Sequence, residues 1–229
     1  MSKRDVSTYS HYNYFVTVSK SAGLRARKKQ RTREAIADAA LRLFLERGFE
    51  AVTVVEVAAA ADVSEKTVYN YFPAKEDLVY GGMEAFEEQL LAAVRDREPG
   101  VSIVAAFRSF MTESRGLLAR DDATGRMRAI HEMISSSPRL QSREREDFDR
   151  FTASLATAIA EQVGARPDDL APWTVANALI GLHRGLVGYV RNRTLAGASN
   201  AAIARGVRAQ TTAALAPLEE GLRHYGESR

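Results

Sequence analysis

Four polar side chains stand within five consecutive positions of this chain: Lys66, Thr67, Tyr69 and Asn70. An Asn carboxamide can form two hydrogen bonds with adenine, and a Lys ammonium favours the acceptor atoms of guanine. Glu65, directly before them, can accept a hydrogen bond from the amino group of cytosine. These residue types predict sequence-selective contacts in the DNA major groove, provided that one exposed helix carries them.

The segment before these residues carries the signals of a short helix. Thr53 followed three positions later by Glu56 forms a capping box, which predicts a helix beginning at Val54. Apolar residues then recur at positions i, i+3, i+4 and i+7, and they are Val54, Val57, Ala58 and Ala61. One face of this helix should therefore be buried.

A three-residue turn and a second helix should follow. Asp62 tolerates a left-handed backbone, and Ser64 can cap the next helix. That helix buries Val68 and Phe72 and must end before Pro73, because proline disfavours helix at the preceding residue. Two short helices joined in this way form a helix-turn-helix, whose second helix enters the major groove.

A basic block precedes this motif. From Lys20 to Arg33 the chain carries seven cations and no acid, and the cations include Arg27, Lys28 and Arg31. Beside a helix-turn-helix, such a block is typical of an arm that contacts phosphates. Taken alone, it would indicate only a solvated or disordered tail. Residues 1–23 show no helical period, and we expect them to be a disordered leader or to follow a start codon placed too far upstream.

The segment from about Arg31 to Leu78 resembles the DNA-binding domain of the TetR family of bacterial regulators. The matching positions are Thr53, Val57, Ala58, Ala61, Val63, Ser64, Thr67, Val68, Tyr69, Tyr71, Phe72, Lys75, Glu76 and Leu78. Asp62 stands where the family often has glycine, which affects only the geometry of the turn. The resemblance supports a division in which the five polar residues Glu65, Lys66, Thr67, Tyr69 and Asn70 read bases, while four others hold phosphates by hydroxyl, helix N-terminus and charge. Those four are Thr53, Ser64, Tyr71 and Lys75.

Composition agrees with a regulator and argues against several other classes. The 229 residues include no Cys, which excludes a disulfide scaffold and thiol catalysis and fits the cytoplasm. No apolar run approaches the roughly 18 residues of a membrane-spanning helix. Neither a phosphate-binding glycine motif nor a metal-binding spacing of His is present, so we expect no enzyme, no cofactor and no metal.

The periodicity predicts an all-α fold of about nine helices. A three-helix DNA-binding domain should occupy residues 24–74, and a larger domain for effector binding and dimerisation should occupy residues 75–229. A fourth helix should run from about Lys75 to Arg97 and link the two. Further helices are expected near 101–120, 123–136, 139–164, 168–193 and 199–224, separated by Gly, Pro, Ser and Asp clusters.

The larger domain contains candidates for an effector site. Mostly apolar side chains with a few polar groups would suit an amphipathic or apolar small molecule. The candidates are Phe107, Phe110, Met111, Met127, Ile130, His131, Met133, Trp173, Asn177 and His183, with Ile134, Phe148, Phe151 and Leu182 beside them. The polar atoms of His131, Trp173, Asn177 and His183 would need partners when buried. The alternative is that most of these residues belong to an ordinary core.

Small residues mark the last two helices. Gly181, Gly185 and Gly188 share one helix face, where another backbone can approach closely. Small side chains also recur in the final helix, at Ala202, Gly206, Ala209 and Ala213 among others. In the TetR family the last two helices pair with those of a second subunit, so the resemblance implies a homodimer. The alternative is helix packing within one chain.

Together these features predict a ligand-responsive repressor that binds a palindromic operator as a homodimer and is released by a small effector. One alternative is a helical protein that binds an acyl-type ligand and retains a vestigial helix-turn-helix. An all-helical enzyme is a further alternative.

Overall fold

The computed structural model describes residues 24–114, 124–222 and 225, and within these residues it contains ten α-helices and no strand. The all-α prediction is therefore confirmed. The expected leader, residues 1–23, lies outside the described residues. In chain order the helices are α1 (Leu24–Arg47), α2 (Val54–Ala60), α3 (Glu65–Tyr71), α4 (Asp77–Tyr80), α5 (Met83–Arg95), α6 (Ile103–Ser114), α7 (Thr124–Ser136), α8 (Pro138–Val163), α9 (Ala171–Leu195) and α10 (Asn200–Gly221).

Helices α1 to α3 enclose a small apolar core. Gly48, at a φ of 85°, ends α1, and its N–H donates to the carbonyl of Phe44 at 2.8 Å. The chain then turns back so that the Phe49 and Phe44 rings pack in an edge-type arrangement, with 5.1 Å between their centroids. Val68 and Phe72 are both buried in this core. The apolar face predicted for α3 is thus the face that anchors it.

The helix expected between Lys75 and Arg97 is divided into α4 and α5, which raises the number of helices from about nine to ten. The break falls at Gly81 and Gly82, which weaken a helix because glycine loses the most backbone freedom. Gly81 lies so close to Phe72 that a Cβ there would stand 2.8 Å from the ring. Before the break, the Tyr80 hydroxyl donates to the carbonyl of Leu140 at 2.9 Å. Helix α4 therefore joins α3 to the helices that follow.

The remaining helices form the larger part of the molecule. Helix α9 packs against α8, α10 and α7, while α5 packs against α8 and α6. Local signals end or begin these helices close to the predicted positions. Ser137 caps α8, Gly164 ends it in the left-handed conformation, and Ser199 caps α10. Within the described ranges, no helix combines the length and hydropathy needed to cross a bilayer.

Candidate nucleic-acid interface

Local hydrogen bonds position the two helices of the predicted motif. The Thr53 hydroxyl accepts from the N–H of Glu56 at 3.3 Å, and the Thr53 N–H donates to the Glu56 carboxylate at 2.7 Å. Asp62 adopts a φ of 54°, so the left-handed turn is confirmed. The Ser64 hydroxyl accepts from the N–H of Thr67 at 3.1 Å and caps α3. The capping box, the turn and the cap all form as predicted.

Helix α3 presents its polar residues outward because Val68 and Phe72 hold its opposite side in the core. Glu65, Lys66 and Asn70 are exposed, and Tyr69 retains 45 % of its surface. Thr67 is half-buried, and so is Tyr71, which packs against the core. The structure therefore places four of the five residues predicted to read bases on one exposed helix of seven residues.

The side chains predicted to hold phosphates have different surroundings. Thr53 and Ser64 are exposed, although their hydroxyls already serve the caps of α2 and α3. These hydrogen bonds have an electrostatic consequence. The backbone N–H of Thr53, followed by Arg47, lowers the pKa of Glu56 to about 2. The carboxylate of the capping box therefore stays ionised and holds the start of α2.

Lys75 is directed toward the protein. Its ammonium lies 3.5 Å from the carbonyl oxygen of Glu50 and 4.3 Å from the centre of the Phe49 ring. Partial burial is the main reason that its pKa is lowered. In this arrangement Lys75 links the α1–α2 loop to the segment before α4.

The basic block divides into two kinds of cation. Arg27, Lys28 and Arg31 are exposed on the first turns of α1, as a phosphate-contacting arm requires. Arg33 is different, because its guanidinium is turned toward the protein. Its guanidinium donates to the carbonyl oxygens of Tyr71 and Gly81 at 3.1 and 2.9 Å. The fork geometry of Arg suits such paired contacts, but only the folded chain brings the two acceptors together.

Most of the predicted effector residues are buried in the larger region. Phe107, Met111, Met127, Ile130, His131, Met133 and His183 are buried, and Phe110 is half-buried. Phe86 of α5 joins two of these residues. Its ring stacks on His183 at 4.6 Å and lies 5.3 Å from the ring of Phe110. Phe86 was not among the predicted site residues, although its spacing from Met83 and Leu90 indicated a buried face of α5.

Trp173 and Asn177 do not join this cluster. Trp173 keeps 48 % of its surface, and Asn177 is exposed and donates to the carbonyl oxygen of Trp173 at 2.9 Å. That these two residues line an effector site therefore stays a prediction, and the buried cluster gives it no support. The side of α9 that faces α8 and α7 instead carries residues such as Val175, Leu179 and His183.

Buried polar groups lie near the same helices. His131 is only 7 % exposed, and no hydrogen-bond partner for its Nδ1 is found among the described residues. Burial, followed by the nearby Arg191, lowers the pKa of His131 to about 4, so the imidazole is neutral at pH 7. Arg191 of α9 pairs with Glu144 of α8. Sequence reasoning missed this ion pair because its members are 47 positions apart.

The predicted dimer residues also divide into two groups. A Cβ added at Gly181, Gly185 or Gly188 would meet no atom of the described chain within 4 Å, so this face of α9 is open. Ala209 and Ala213 are exposed on α10, and Ala202 is half-buried. Gly206 packs within the chain, because a Cβ there would overlap the ring of Tyr189. At Gly206, packing within one chain already accounts for the small residue.

Two family models match this chain. The model described as bacterial regulatory proteins of the tetR family matches residues 36–80. The model described as the MftR C-terminal domain matches residues 101–194. The first match contains the helix-turn-helix, and the second extends from the start of α6 into the last turn of α9.

This chain is also similar to individual transcriptional regulators. The HTH-type transcriptional regulator TcmR of Streptomyces glaucescens is 30 % identical over 151 residues, which cover 64 % of this chain and 67 % of TcmR. The HTH-type transcriptional repressor BepR of Brucella suis biovar 1 is 31 % identical over 166 residues, which cover 68 % of this chain and 78 % of BepR. The fold resembles that of the SmeT–triclosan complex, with a TM-score of 0.51 at 22 % identity over 82 % of this chain and 91 % of that one. This chain is therefore a DNA-binding transcriptional regulator of the TetR family.

Proposed function

We propose that the protein is a ligand-responsive repressor that binds a palindromic operator as a homodimer in the cytoplasm. The observation that carries this proposal is the exposed face of α3, where Lys66 and Asn70 lie on the side opposite the buried Val68 and Phe72. A helix anchored on one side and polar on the other can enter the major groove without disturbing its own core. In this proposal, residues 24–74 bind DNA and residues 75–229 bind the effector and the second subunit.

In this proposal the residues of α3 differ in how directly they read DNA. Lys66 and Asn70 are fully available for base edges, and Tyr69 and Glu65 flank them. Thr67 takes part less directly, because its hydroxyl pairs with that of Ser64 at 2.8 Å. The exposed cations at the start of α1 lie outside the motif, where they can neutralise phosphates.

The homodimer is supported by the open face of α9. Two-fold symmetry brings the same surface of both subunits together. The glycines at positions 181, 185 and 188 would let two α9 helices approach closely, with the exposed small residues of α10 beside them. A dimer would set the two α3 helices at the spacing of two half-sites, about one turn of DNA or a multiple apart.

The effector in this proposal is a small apolar or amphipathic molecule. The buried cluster of Phe, Met and His side chains on α5 to α9 supplies apolar surroundings with few polar groups. Met111, Met127 and Met133 are unbranched and adaptable, so they can rearrange around a ligand. SmeT, whose fold is similar, has been solved in complex with triclosan.

Effector binding would reach α3 through α4. Arg143 of α8 pairs with Asp77 of α4 at 2.9 Å, and Arg139 pairs with Glu76 at 3.2 Å. A shift of α8 would therefore pull on the start of α4. The effector can act only to the extent that it prefers the arrangement that does not bind the operator.

The first experiment is binding to the DNA that flanks the gene, measured by fluorescence anisotropy across a salt series. The wild type is compared with the double variant Lys66→Ala, Asn70→Ala. Each base contact accounts for about 1–3 kcal/mol of discrimination, so the double variant should lose selectivity while it keeps salt-dependent, non-selective binding. Arg145→Ala, which removes an exposed cation on α8, is the matched control and should bind like the wild type.

Two results would contradict the proposal. If wild-type protein selects no sequence from a library of genomic fragments, the helix-turn-helix is vestigial and the alternative of a helical ligand-binding protein is favoured. If the double variant keeps full selectivity, Lys66 and Asn70 of α3 do not provide the base contacts.

A further inference from the structure

Arg33 of α1 touches three other parts of the amino-terminal region. Its Nη1 donates to the carbonyl oxygen of Tyr71 at 3.1 Å, and its Nη2 donates to that of Gly81 at 2.9 Å. The same Nη2 lies 3.3 Å from a carboxylate oxygen of Glu84. The guanidinium also covers the Phe72 ring, at 4.7 Å from the ring centre.

These contacts converge on the end of the recognition helix. Tyr71 is the last residue of α3 and Phe72 is its C-cap, while Gly81 and Glu84 flank the break between α4 and α5. Gly81 also lies close to Phe72, because a Cβ added at Gly81 would be 2.8 Å from the Phe72 ring. One guanidinium therefore links the last turn of α3 to the break between α4 and α5.

This position does not suit a phosphate contact. The Arg33 side chain keeps only 25 % of its surface, and both of its terminal nitrogens already donate to oxygens of the chain. Arg31, two residues earlier, is exposed. The basic block thus contains an exposed cation and an enclosed one almost side by side.

We infer that Arg33 is a positioning residue, which fixes the angle of α3 relative to α5 and makes no contact with DNA. Carbonyl oxygens at the end of a helix need donors, and a planar guanidinium can serve two of them with defined geometry. A Lys ammonium supplies the same charge without that geometry. Since α5 continues into the larger region, the angle that Arg33 holds also sets where each α3 stands in a dimer.

This inference rests on the homodimer proposed above and predicts an effect on operator spacing. With α3 held firmly, only one separation of the half-sites matches both recognition helices. Each added or removed base pair shifts a half-site by about 3.4 Å. Without Arg33, α3 remains anchored by Val68 and Phe72, but its angle to α5 becomes variable.

The test uses the full-length protein and the operator fragment selected by the wild type. Affinity is measured for the natural spacing and for spacings changed by one or two base pairs, each across a salt series. The variants are Arg33→Gln, Arg33→Lys and the control Arg31→Gln. Thermal unfolding of every variant gives its folded fraction, to which the affinities are normalised.

We expect both Arg33 variants to bind about tenfold more weakly at the natural spacing, because hydrogen bonds from a charged group are removed. Their affinity should fall much less at altered spacings, so that the spacing preference flattens, and their salt slope should stay that of the wild type. Arg31→Gln should instead reduce the slope by about 0.9 for each phosphate that the protein no longer neutralises, with the spacing preference unchanged.

Three results would overturn the inference. In the first, Arg33→Gln lowers the salt slope while Arg33→Lys restores wild-type binding, which identifies a phosphate contact. In the second, affinity falls by the same factor at every spacing, which identifies a general structural role. In the third, both variants bind like the wild type. If Arg33→Gln fails to fold, the spacing profile of Arg33→Lys decides. Failure of the wild type to select any operator would instead contradict the proposed function.

Discussion

The recognition helix α3 and the helices α7 to α9 place polar side chains in opposite ways. On α3, Lys66 and Asn70 project into solvent, and the hydrogen bond that caps the start of the helix is local. In the larger region, His131 is buried on α7, and Glu144 of α8 forms a partly buried ion pair with Arg191 of α9. The first arrangement leaves polar groups available to a partner, while the second encloses them, and there the ion pair links α8 to α9.

This difference has an energetic consequence. An exposed polar group is hydrated, so changing it alters binding far more than folding. A buried charge depends on its partner, because an unpaired charge in the interior is strongly unfavourable. Substitutions on α3 should therefore separate affinity from stability, whereas substitutions in α7 to α9 should alter stability first.

The largest expected effect is that of Glu144→Ala, because this change removes the carboxylate paired with Arg191 inside the larger region. We expect the free energy of unfolding to fall by up to about 3–5 kcal/mol, the loss typical of a fully buried pair, measured by urea denaturation. Glu146→Ala, an exposed acid on the same helix, is the matched control and should change it by at most about 0.5 kcal/mol. Equal losses in the two variants would show that burial does not distinguish them.

His131 makes the buried region sensitive to acid. Burial, followed by Arg191, lowers its pKa to about 4 in the folded protein, whereas the unfolded chain takes up the proton near pH 6.5. The unfolded state thus binds more protons between these values, and stability is lost as pH falls from about 6.5 to 4, by up to about 3 kcal/mol. In His131→Met this loss should be absent. Denaturation curves at a series of pH values test this, and parallel curves for the two proteins would contradict it.

Gly81→Ala tests the contact between the end of α4 and the Phe72 ring. The added methyl group would press on the Phe72 ring, and overpacking of this kind costs about 1–3 kcal/mol. Gly125→Ala is a suitable control, since a Cβ there meets no described atom within 4 Å. Thermal unfolding of both variants measures the effect. A Gly81→Ala protein as stable as the control would mean that the ring moves aside freely.

The smallest expected effect concerns the helix N-caps, which are present in both regions. Thr53 caps α2 and Ser199 caps α10 through equivalent hydrogen bonds. Because a cap is local, Thr53→Ala and Ser199→Ala should each lower the free energy of unfolding by about 1 kcal/mol. Only Thr53→Ala should also weaken operator binding in anisotropy titrations. If Ser199→Ala weakens that binding equally, the loss of affinity reflects stability alone.

Local patterns were sufficient to predict the motif. The capping box at Thr53, the turn at Asp62 and the cap at Ser64 are all confirmed, because each involves residues within four positions of one another. For the same reason most helix ends lie close to their predicted positions. The break at Gly81 was missed since the apolar period continues from α4 into α5, and the contacts of Gly81 with Phe72 and Arg33 form only in the folded chain.

The sequence by itself therefore determined the all-α fold, the helix-turn-helix and the exposed residues of α3, since periodicity and capping act over one or two helical turns. Only the tertiary structure decided which polar residues lie inside. It separated Arg33 from the exposed cations, placed Trp173 at the surface and paired Glu144 with Arg191. The partners of Arg33 are 38 or more positions away in the sequence, and Arg191 is 47 positions from Glu144. No local pattern specifies contacts over such separations.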